Sequence, residues 1–337
     1  FPATQAGYQE LTRFITGHGP ILRVGVEGTN AYGAGLSRHL HRVGLPVAEV
    51  LRPARQVRRM RGKSDQIDAY AAAHTALASV HTTTPKTTTG GVEAIRVMFT
   101  ARRSAVKARS ETITQIKSLL VTAPDAIREQ YRRLSTAKLI SKLAGARARH
   151  SDDQVAACTR VALKRLATRY QQLAAEIACH DADLEMLVTA TNPAMLQTHG
   201  IATITAAQLL ITAGDNPERI HSEAAFAMLC GTAPIPASSG KTTRYRLNRG
   251  GDRQANAALH HIAKVRLRTD PNTRAYADRL TTAGKTKKDI MRCLKRAIAR
   301  QVFHLLTNPP PVENSNDQRP QPNAMGQTHT DVANAQD

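Results

Sequence analysis

Glu27, Asp65 and Asp68 are the three acids whose setting suggests chemistry. Glu27 closes the apolar run Ile21-Leu-Arg-Val-Gly-Val-Glu27, and the other two lie in Gly62-Lys-Ser-Asp65-Gln-Ile-Asp68-Ala-Tyr-Ala-Ala-Ala. Three apart at the start of a helix, Asp65 and Asp68 face the same side. With a third carboxylate at a nearby strand end they could hold hard divalent cations through oxygen. A pair of such ions activates a nucleophile and stabilises a leaving oxygen in phosphoryl transfer. On its own, Asp-x-x-Asp is the ordinary solvated, dipole-favouring start of a helix. Its surroundings turn the reading: Arg52, Arg55, Arg58, Arg59, Arg61 and Lys63 precede it, with no acid from Leu51 to Ser64. Such a segment either lays a phosphate backbone beside a metal site or is simply a solvated basic loop.

The whole chain shares that bias. Its 337 residues carry 47 Lys and Arg against 26 Asp and Glu, a formal net charge of +21, which favours a polyanionic partner. No stretch approaches the ~20 apolar residues of a membrane-spanning helix, and the opening residues carry no signal-peptide pattern. Cys158, Cys179, Cys230 and Cys293 match no zinc or redox spacing, so free cytosolic thiols are expected. Aromatics make up 4% with no Trp, which argues against base-stacking platforms as the main mode of binding. The first residue is Phe, not Met, so a fragment or a misassigned start is expected.

The elements that must position these groups follow from periodicity. Residues 1–80 read as α/β: a helix from Tyr8 to Thr16, a strand Ile21–Glu27, glycines 28, 33 and 35 loosening the turn, a short helix Ser37–Val43, a second strand Pro46–Leu51, and an alanine-rich helix Gln66–Ala78. Strands alternating with helices imply a layered α/β domain. In residues 92–190, Phe99, Val106, Ile113, Ile116 and Leu120 form one apolar seam. Leu163, Leu166, Tyr170, Leu173, Ile177, Leu184 and Leu187 form another. Their spacing predicts two long helices folded back as an antiparallel coiled coil, with ordinary bundle helices as the alternative. Residues 191–307 read as a mainly helical unit in which Leu196 to Leu210 resembles a helix-hairpin-helix element, with Ala202 in place of the usual second glycine. There a turn before a helix N-terminus offers backbone N–H groups to a phosphate. From Asn308 the chain is polar and proline-bearing, as in a disordered tail. The expected division is therefore 1–85, 92–190, 191–307 and 308–337.

Three segments taken together resemble one family. Val24-Gly-Val-Glu27-Gly-Thr-Asn-Ala-Tyr-Gly-Ala-Gly, Arg61-Gly-Lys-Ser-Asp65-Gln-Ile-Asp68-Ala and Gly231-Thr-Ala-Pro-Ile-Pro-Ala-Ser-Ser239-Gly-Lys-Thr-Thr-Arg-Tyr-Arg-Leu-Asn-Arg-Gly250-Gly-Asp-Arg-Gln look like the DEDD insertion-sequence transposases of group one-ten, over roughly residues 8–307. The resemblance implies an RNase-H-like (RuvC-like) N-terminal domain. The second, third and fourth members of its metal site, for Mg2+ or Mn2+, fall on Glu27, Asp65 and Asp68. It implies a C-terminal transposase domain whose catalytic serine falls on Ser239, with Ser238 as the competitor, and a covalent phosphoserine link to DNA. It further implies a homo-oligomer (dimer or tetramer), a structured non-coding guide RNA from the element, and a cytoplasmic, nucleoid-associated bacterial protein with no membrane partner. The family's first Asp lies on a strand upstream of the motif with Glu27. Only Glu10, in a helical pattern, is acidic before Glu27, so that strand and its Asp are expected to be missing here.

The residues themselves make a nucleophilic serine plausible. Pro234-Ile-Pro-Ala-Ser-Ser-Gly240 is too broken for a helix or strand interior, and glycine admits close approach of a backbone phosphate. From Ser238 to Arg300 there are 17 Lys and Arg against 4 Asp and Glu, and positive charge around an attacking serine stabilises a phosphorane-like transition state. Without the family, Ser-Ser-Gly is a turn. Lys241, Arg244, Arg246, Arg249 and Arg253 are candidate phosphate contacts, the arginines able to grip bidentately. Lys285, Lys287, Lys288, Arg292, Lys295 and Arg296 read as backbone-binding decoration of a C-terminal helix. Adjacent His260 and His261 point to different sides of theirs. Three functions compete: a transposase that cuts and rejoins DNA, a Holliday-junction nuclease using water, and an inactive nucleic-acid-binding relic.

One outcome follows from charge alone. Binding of the chain to duplex DNA, read by fluorescence anisotropy, should weaken with a log–log salt slope of several units. An affinity that stays flat from low to moderate salt would refute a phosphate-dominated interface.

Overall fold

The computed structural model describes residues 1–50, 65–78, 82–147, 153–240 and 245–308. The basic segment Arg52–Lys63 with Arg55, Arg58, Arg59 and Arg61, as well as Lys241, Arg244 and the tail from residue 309, lies outside the described residues.

The N-terminal region alternates as its sequence pattern requires. Helix α1 (Gln5–Thr16) opens on Thr4, whose hydroxyl accepts from the Gly7 N–H at 3.2 Å. Strand β1 (Val24–Glu27), helix α2 (Ala34–Arg42), strand β2 (Val47–Val50), helix α3 (Asp65–Ala78) and the two-residue strand β3 (Thr82–Thr83) follow. β1 and β2 are parallel, Val24 opposite Val47 and Glu27 opposite Val50, while β3 runs antiparallel on the far edge of β2. α1 docks on α2 through the buried His39, which Thr12 meets at 3.0 Å and Gln5 at 3.4 Å. The first strand begins at Val24, three residues later than its apolar run suggests, because Leu22 and Arg23 are exposed.

Two long helices make the middle of the chain, α4 (Gly91–Val121) and α7 (Gln154–Thr191). They are antiparallel, since contacts climb one helix as they descend the other. Gly91 lies against Thr191, Arg102 pairs with Asp181, the Arg109 guanidinium sits 5.9 Å over the Tyr170 ring, and Ile116 shares a core with Leu163 and Ala167. The face read from the sequence is the packed one. Phe99, Ile116, Leu163, Ile177 and Leu184 are buried, and Val106, Ile113, Leu166, Tyr170, Leu173 and Leu187 are half-buried. At the far end two short helices, α5 (Asp125–Tyr131) and α6 (Thr136–Ala144), close over the pair with Ile127, Tyr131, Leu139, Ile140 and Leu143.

At the near end the pair is embedded in the C-terminal core. That region comprises α8 (Pro193–Gln197), α9 (Thr203–Ala213), a single 3-10 turn (Pro217–Arg219), α10 (Glu223–Leu229), a two-stranded hairpin β4 (Ile235–Pro236) and β5 (Tyr245–Arg246), α11 (Arg253–Thr269), α12 (Pro271–Thr282) and α13 (Lys287–Thr307). Val92, Ile95, Leu184 and Val188 share one hydrophobic core with Met195, Leu209, Phe226, Leu259, Ile262, Ile298 and Val302. α8 and α9 are joined through a turn at Gly200, whose φ of +80° suits glycine. Arg266 donates to the His199 carbonyl at 2.8 Å and braces that turn. Among the described residues no helix is long and apolar enough to cross a membrane.

The threonine-rich segment after β3 fastens the first region to the third. Lys86 donates to the Ile211 carbonyl at 2.6 Å, and Asn216 bonds both the Thr87 N–H and the Pro85 carbonyl, at 3.1 and 3.0 Å. Arg219 reaches the Ala213 carbonyl of the same helix end at 3.0 Å. Cations suit a helix C-terminus. Burial, aided by the nearby Arg219 charge, nevertheless lowers the Lys86 ammonium from 10.5 to about 8. The folded chain therefore releases this proton before the unfolded chain does. Between pH 8 and 10.5 the unfolded state binds more protons, so stability rises with pH. The full shift corresponds to about 3 kcal/mol. Urea unfolding of wild type and Lys86→Met from pH 7.5 to 10.5 should show wild type gaining on the variant by about that amount. Taking the difference cancels the opposing slope of Cys230, whose thiol burial pushes up to about 12. Parallel curves would overturn the assignment.

Candidate functional site

The acidic seam lies between β1 and α3. Gly25 is in contact there: a Cβ on it would sit 2.7 Å from the Ala72 carbonyl and 3.1 Å from the Ala76 methyl. Only glycine in the strand and alanine in the helix allow so close an approach. Gly25 and Glu27 share a face of the strand by its two-residue alternation. Asp68 precedes Ala72 by four and so shares a face of the helix. Glu27 and Asp68, both half-buried, therefore stand on facing surfaces. After Glu27 the chain turns on Gly28, at φ +61°, and returns so tightly that a Cβ on Gly33 would lie 2.4 Å from the Glu27 carbonyl. Inside this turn Thr29 is buried and its hydroxyl has no hydrogen-bond partner among the described residues. Asp65 is the first residue of α3, and its side chain lies outside the described residues.

These donors suit a hard divalent cation in kind, since carboxylate oxygens are what Mg2+ or Mn2+ prefers. The orphaned Thr29 hydroxyl beside Glu27 marks a polar recess left unsatisfied by the described protein atoms. Among the described residues no three Asp, Glu, His or Cys side chains converge as a complete metal cluster.

The serine segment is built differently. β4 and β5 pair antiparallel, Ile235 opposite Arg246 and Pro236 opposite Tyr245. Ser238 and Ser239 are exposed beyond β4, followed by Gly240 at φ +55° with open space around it. The base of this hairpin is closed by backbone packed on backbone. A Cβ on Gly231 would lie 2.8 Å from the Gly250 carbonyl, and one on Gly251 would lie 2.6 Å from the Leu229 carbonyl. Asn256 latches the same place from α11. Its amide donates to the carbonyls of Cys230 and Gly231 at 2.9 and 3.0 Å, and its oxygen accepts from Lys295 Nζ at 2.8 Å. Asp252 caps α11 through the N–H groups of Gln254 and Ala255, and accepts from the Thr212 hydroxyl at 2.7 Å. Thus the hairpin's exit is tied to α9.

Beside the hairpin opens a cavity of about 930 Å³. Ala237 and Arg246 line it from the hairpin, and Lys285, Lys288, Arg292 and Lys295 line it from the segment leading through α13. Carboxylates engage the arginines here: Asp289 holds Arg292 at 2.8 Å, and Glu223 holds Arg296 and Arg300 at 3.1 and 2.8 Å. Among the described residues no carboxylate pairs with Lys285, Lys288, Lys295 or Arg246.

Of the expected contacts, Arg246 joins this cavity. Arg249 and Arg253 are exposed and lie outside its lining. Lys295 is not helix decoration, because only 7% of it is exposed. Burial, with the neighbouring Arg292 charge, holds its ammonium below the usual lysine range. The signal was available in the spacing: Met291, Ile298, Ala299 and Val302 fall at −4, +3, +4 and +7 from Lys295, on the packed stripe of α13. Asp252 directly before α11 carried the ordinary N-cap signal, but its bond to Thr212 and the role of Asn256 had no local signal.

Two family models match the chain at its two ends. One for the DEDD transposase of IS110 matches residues 1–123, and one described as Transposase IS116/IS110/IS902 family matches residues 193–278. The chain is 33% identical over 159 residues to the insertion element IS900 uncharacterized 42 kDa protein of Mycobacterium paratuberculosis, covering 46% of this chain and 39% of that protein. It is also 33% identical over 116 residues to the insertion element IS110 uncharacterized 43.6 kDa protein of Streptomyces coelicolor, covering 34% of this chain and 28% of that protein. The chain thus spans less than half the length of either relative. One model of the IS110 transposases thus lies over the acidic segment and the other over the serine hairpin, in the order of the sequence motifs, so the chain is similar to that family at both its ends.

Proposed function

We propose that this chain cuts and rejoins DNA for an insertion sequence, with Ser239 as nucleophile and Glu27, Asp65 and Asp68 as the holders of Mg2+ or Mn2+. The observation that carries this reading is the hairpin itself, an exposed Ser-Ser-Gly held on a rigid base at the edge of a cation-lined cavity. In the step proposed, the Ser239 oxygen attacks a backbone phosphorus and loses its proton to solvent or a base. A phosphorus–serine ester forms as the bond to one deoxyribose oxygen breaks, and that oxygen leaves as a hydroxyl. Arg246 and the cations of α13 stabilise charge growing on the phosphoryl oxygens. When bound, the metal lowers the free energy of the displaced oxygen and polarises the phosphate. The chain's own part is to bring Glu27 and Asp68 to one seam through the Gly25–Ala72 contact.

The same reading takes in a structured guide RNA from the element, a homo-oligomer, and a cytoplasmic, nucleoid-associated location. The long helical pair is proposed to act as an antiparallel coiled coil between a metal-site domain over residues 1–85 and a serine-bearing domain over 191–307. The cation-lined cavity would equally serve a junction nuclease that uses water, and the covalent adduct separates the two.

The test is denaturing electrophoresis of protein incubated with end-labelled element-junction DNA and the element's RNA. Wild type should form a covalent adduct. Ser239→Ala should abolish it while changing DNA affinity by less than about twofold, because the hydroxyl contributes a nucleophile and little binding surface. An adduct that survives Ser239→Ala but not Ser238→Ala would move the nucleophile by one residue. Cleavage with no adduct would favour the water-using nuclease.

A further inference from the structure

The Lys295 ammonium has three N–H donors, and one is used on Asn256. It is buried, faces no carboxylate among the described residues, and lines the cavity beside the serine hairpin. A buried ammonium without an anion is unfavourable, and an arriving anion removes that penalty. The arginines around it are committed to Asp289 and Glu223. Lys285, Lys288 and Arg246 are unpaired but exposed, so their charges are screened by solvent. Among the described lining lysines Lys295 is the buried one, and its tether, Asn256, also fixes the start of the serine segment at Cys230 and Gly231.

We propose that the cavity beside the Ser238–Ser239 hairpin is the seat of one nucleic-acid backbone phosphate, and that Lys295, oriented by Asn256, is its positioning residue. A phosphate fits better than a carboxylate. A phosphate diester presents several oxygens to a lining in which, among the described residues, Lys295, Arg246 and Lys288 outnumber the single carboxylate of Asp289, itself held by Arg292. The hairpin and the seat then move as one body, since both hang from Asn256. The identity of the anion rests on the reading above. The seat does not require the serine to be the nucleophile.

The experiment is anisotropy of a fluorescein-labelled 24-base-pair duplex DNA, titrated with wild type, Lys295→Met and Lys295→Arg over a series of KCl concentrations. Lys295→Met keeps the length and apolar stem and removes the charge. It should bind more weakly, with a log–log salt slope smaller by about 1. Lys295→Arg should keep the wild-type slope. A purely structural role would lower the fraction of competent protein without changing the slope, so a slope unchanged in folded Lys295→Met with both the duplex and single-stranded RNA overturns the proposal. Should Lys295→Met not fold, wild type is treated with sulfosuccinimidyl acetate with and without the duplex and read by peptide mass spectrometry. DNA should protect Lys295 at least fivefold, and equal acetylation overturns the seat. Repeating the titration with a 24-nucleotide single-stranded RNA assigns the phosphate: a slope loss confined to one polymer names it as the source. The slope is read without any adduct, so it stands or falls apart from the serine assignment.

Discussion

The C-terminal end of the buried helix α9 is where the described parts of the chain are held together. A helix leaves its last carbonyls without partners, and burial makes each of them costly. Here one of the groups that satisfy that end comes from far away in sequence and another from the turn just beyond it. Lys86, from the segment after the N-terminal sheet, takes the Ile211 carbonyl, and Arg219 takes that of Ala213. Two residues on, Asp215 caps α4 by accepting from the Val92 N–H at 2.8 Å. Gly90 permits this: a Cβ there would lie 2.3 Å from the Asp215 carboxylate, so the cap is borrowed from a distant loop. Thr212 then holds Asp252 at the exit of the serine hairpin. One helix end thus anchors the sheet region, the root of the long helical pair and the candidate nucleophile.

This explains how two sites built on different principles can share a chain. The acidic seam depends on close packing, with a glycine on a strand and alanines on a helix bringing Glu27 and Asp68 onto facing surfaces. The serine hairpin depends on closure at its base, where Gly231 and Gly251 press backbone against backbone and Asn256 locks the result. The hairpin strands are two residues each and would not persist unaided. Its geometry is set by its feet, while a Cβ on Gly240 would meet nothing within 4 Å among the described residues.

Much of the scaffold was legible in the sequence because it obeys local rules. The alternation that marks Val24–Glu27 and Val47–Val50 as strands, and the seams through Phe99, Ile116, Leu163 and Leu184, reflect periods fixed by backbone geometry. The turn at Gly200 was legible for the same reason. The connections were not. Nothing near Asn256 announces that it reaches Gly231, and nothing near Gly90 announces Asp215, because both pairings are long-range. Lys295 shows a third kind of miss. Its place on the apolar stripe of α13 was readable, but its charge argued for the surface, and the two signals conflict wherever a fold buries a cation.

Such conflicts order the cations of α13 by chemistry. Arg292, Arg296 and Arg300 engage carboxylates, and the last two bind Glu223 on α10, so their forks act as struts between elements. The lysines beside the same cavity have no such strut among the described residues. Arginine is suited to the first task because its planar fork meets a carboxylate at two points. Lysine is suited to the second because its compact ammonium, held by a single neutral partner such as Asn256, keeps N–H donors free for an anion. With a net charge of +21 to distribute, the fold uses its few acids to fix arginines that hold helices together and leaves lysines facing the cavity beside the serine. Acids placed opposite those lysines would have neutralised the attraction for a polyanion. On the function proposed above, Glu27 and Asp68, which do not line that cavity, leave its field for phosphate undiminished and keep their own oxygens available.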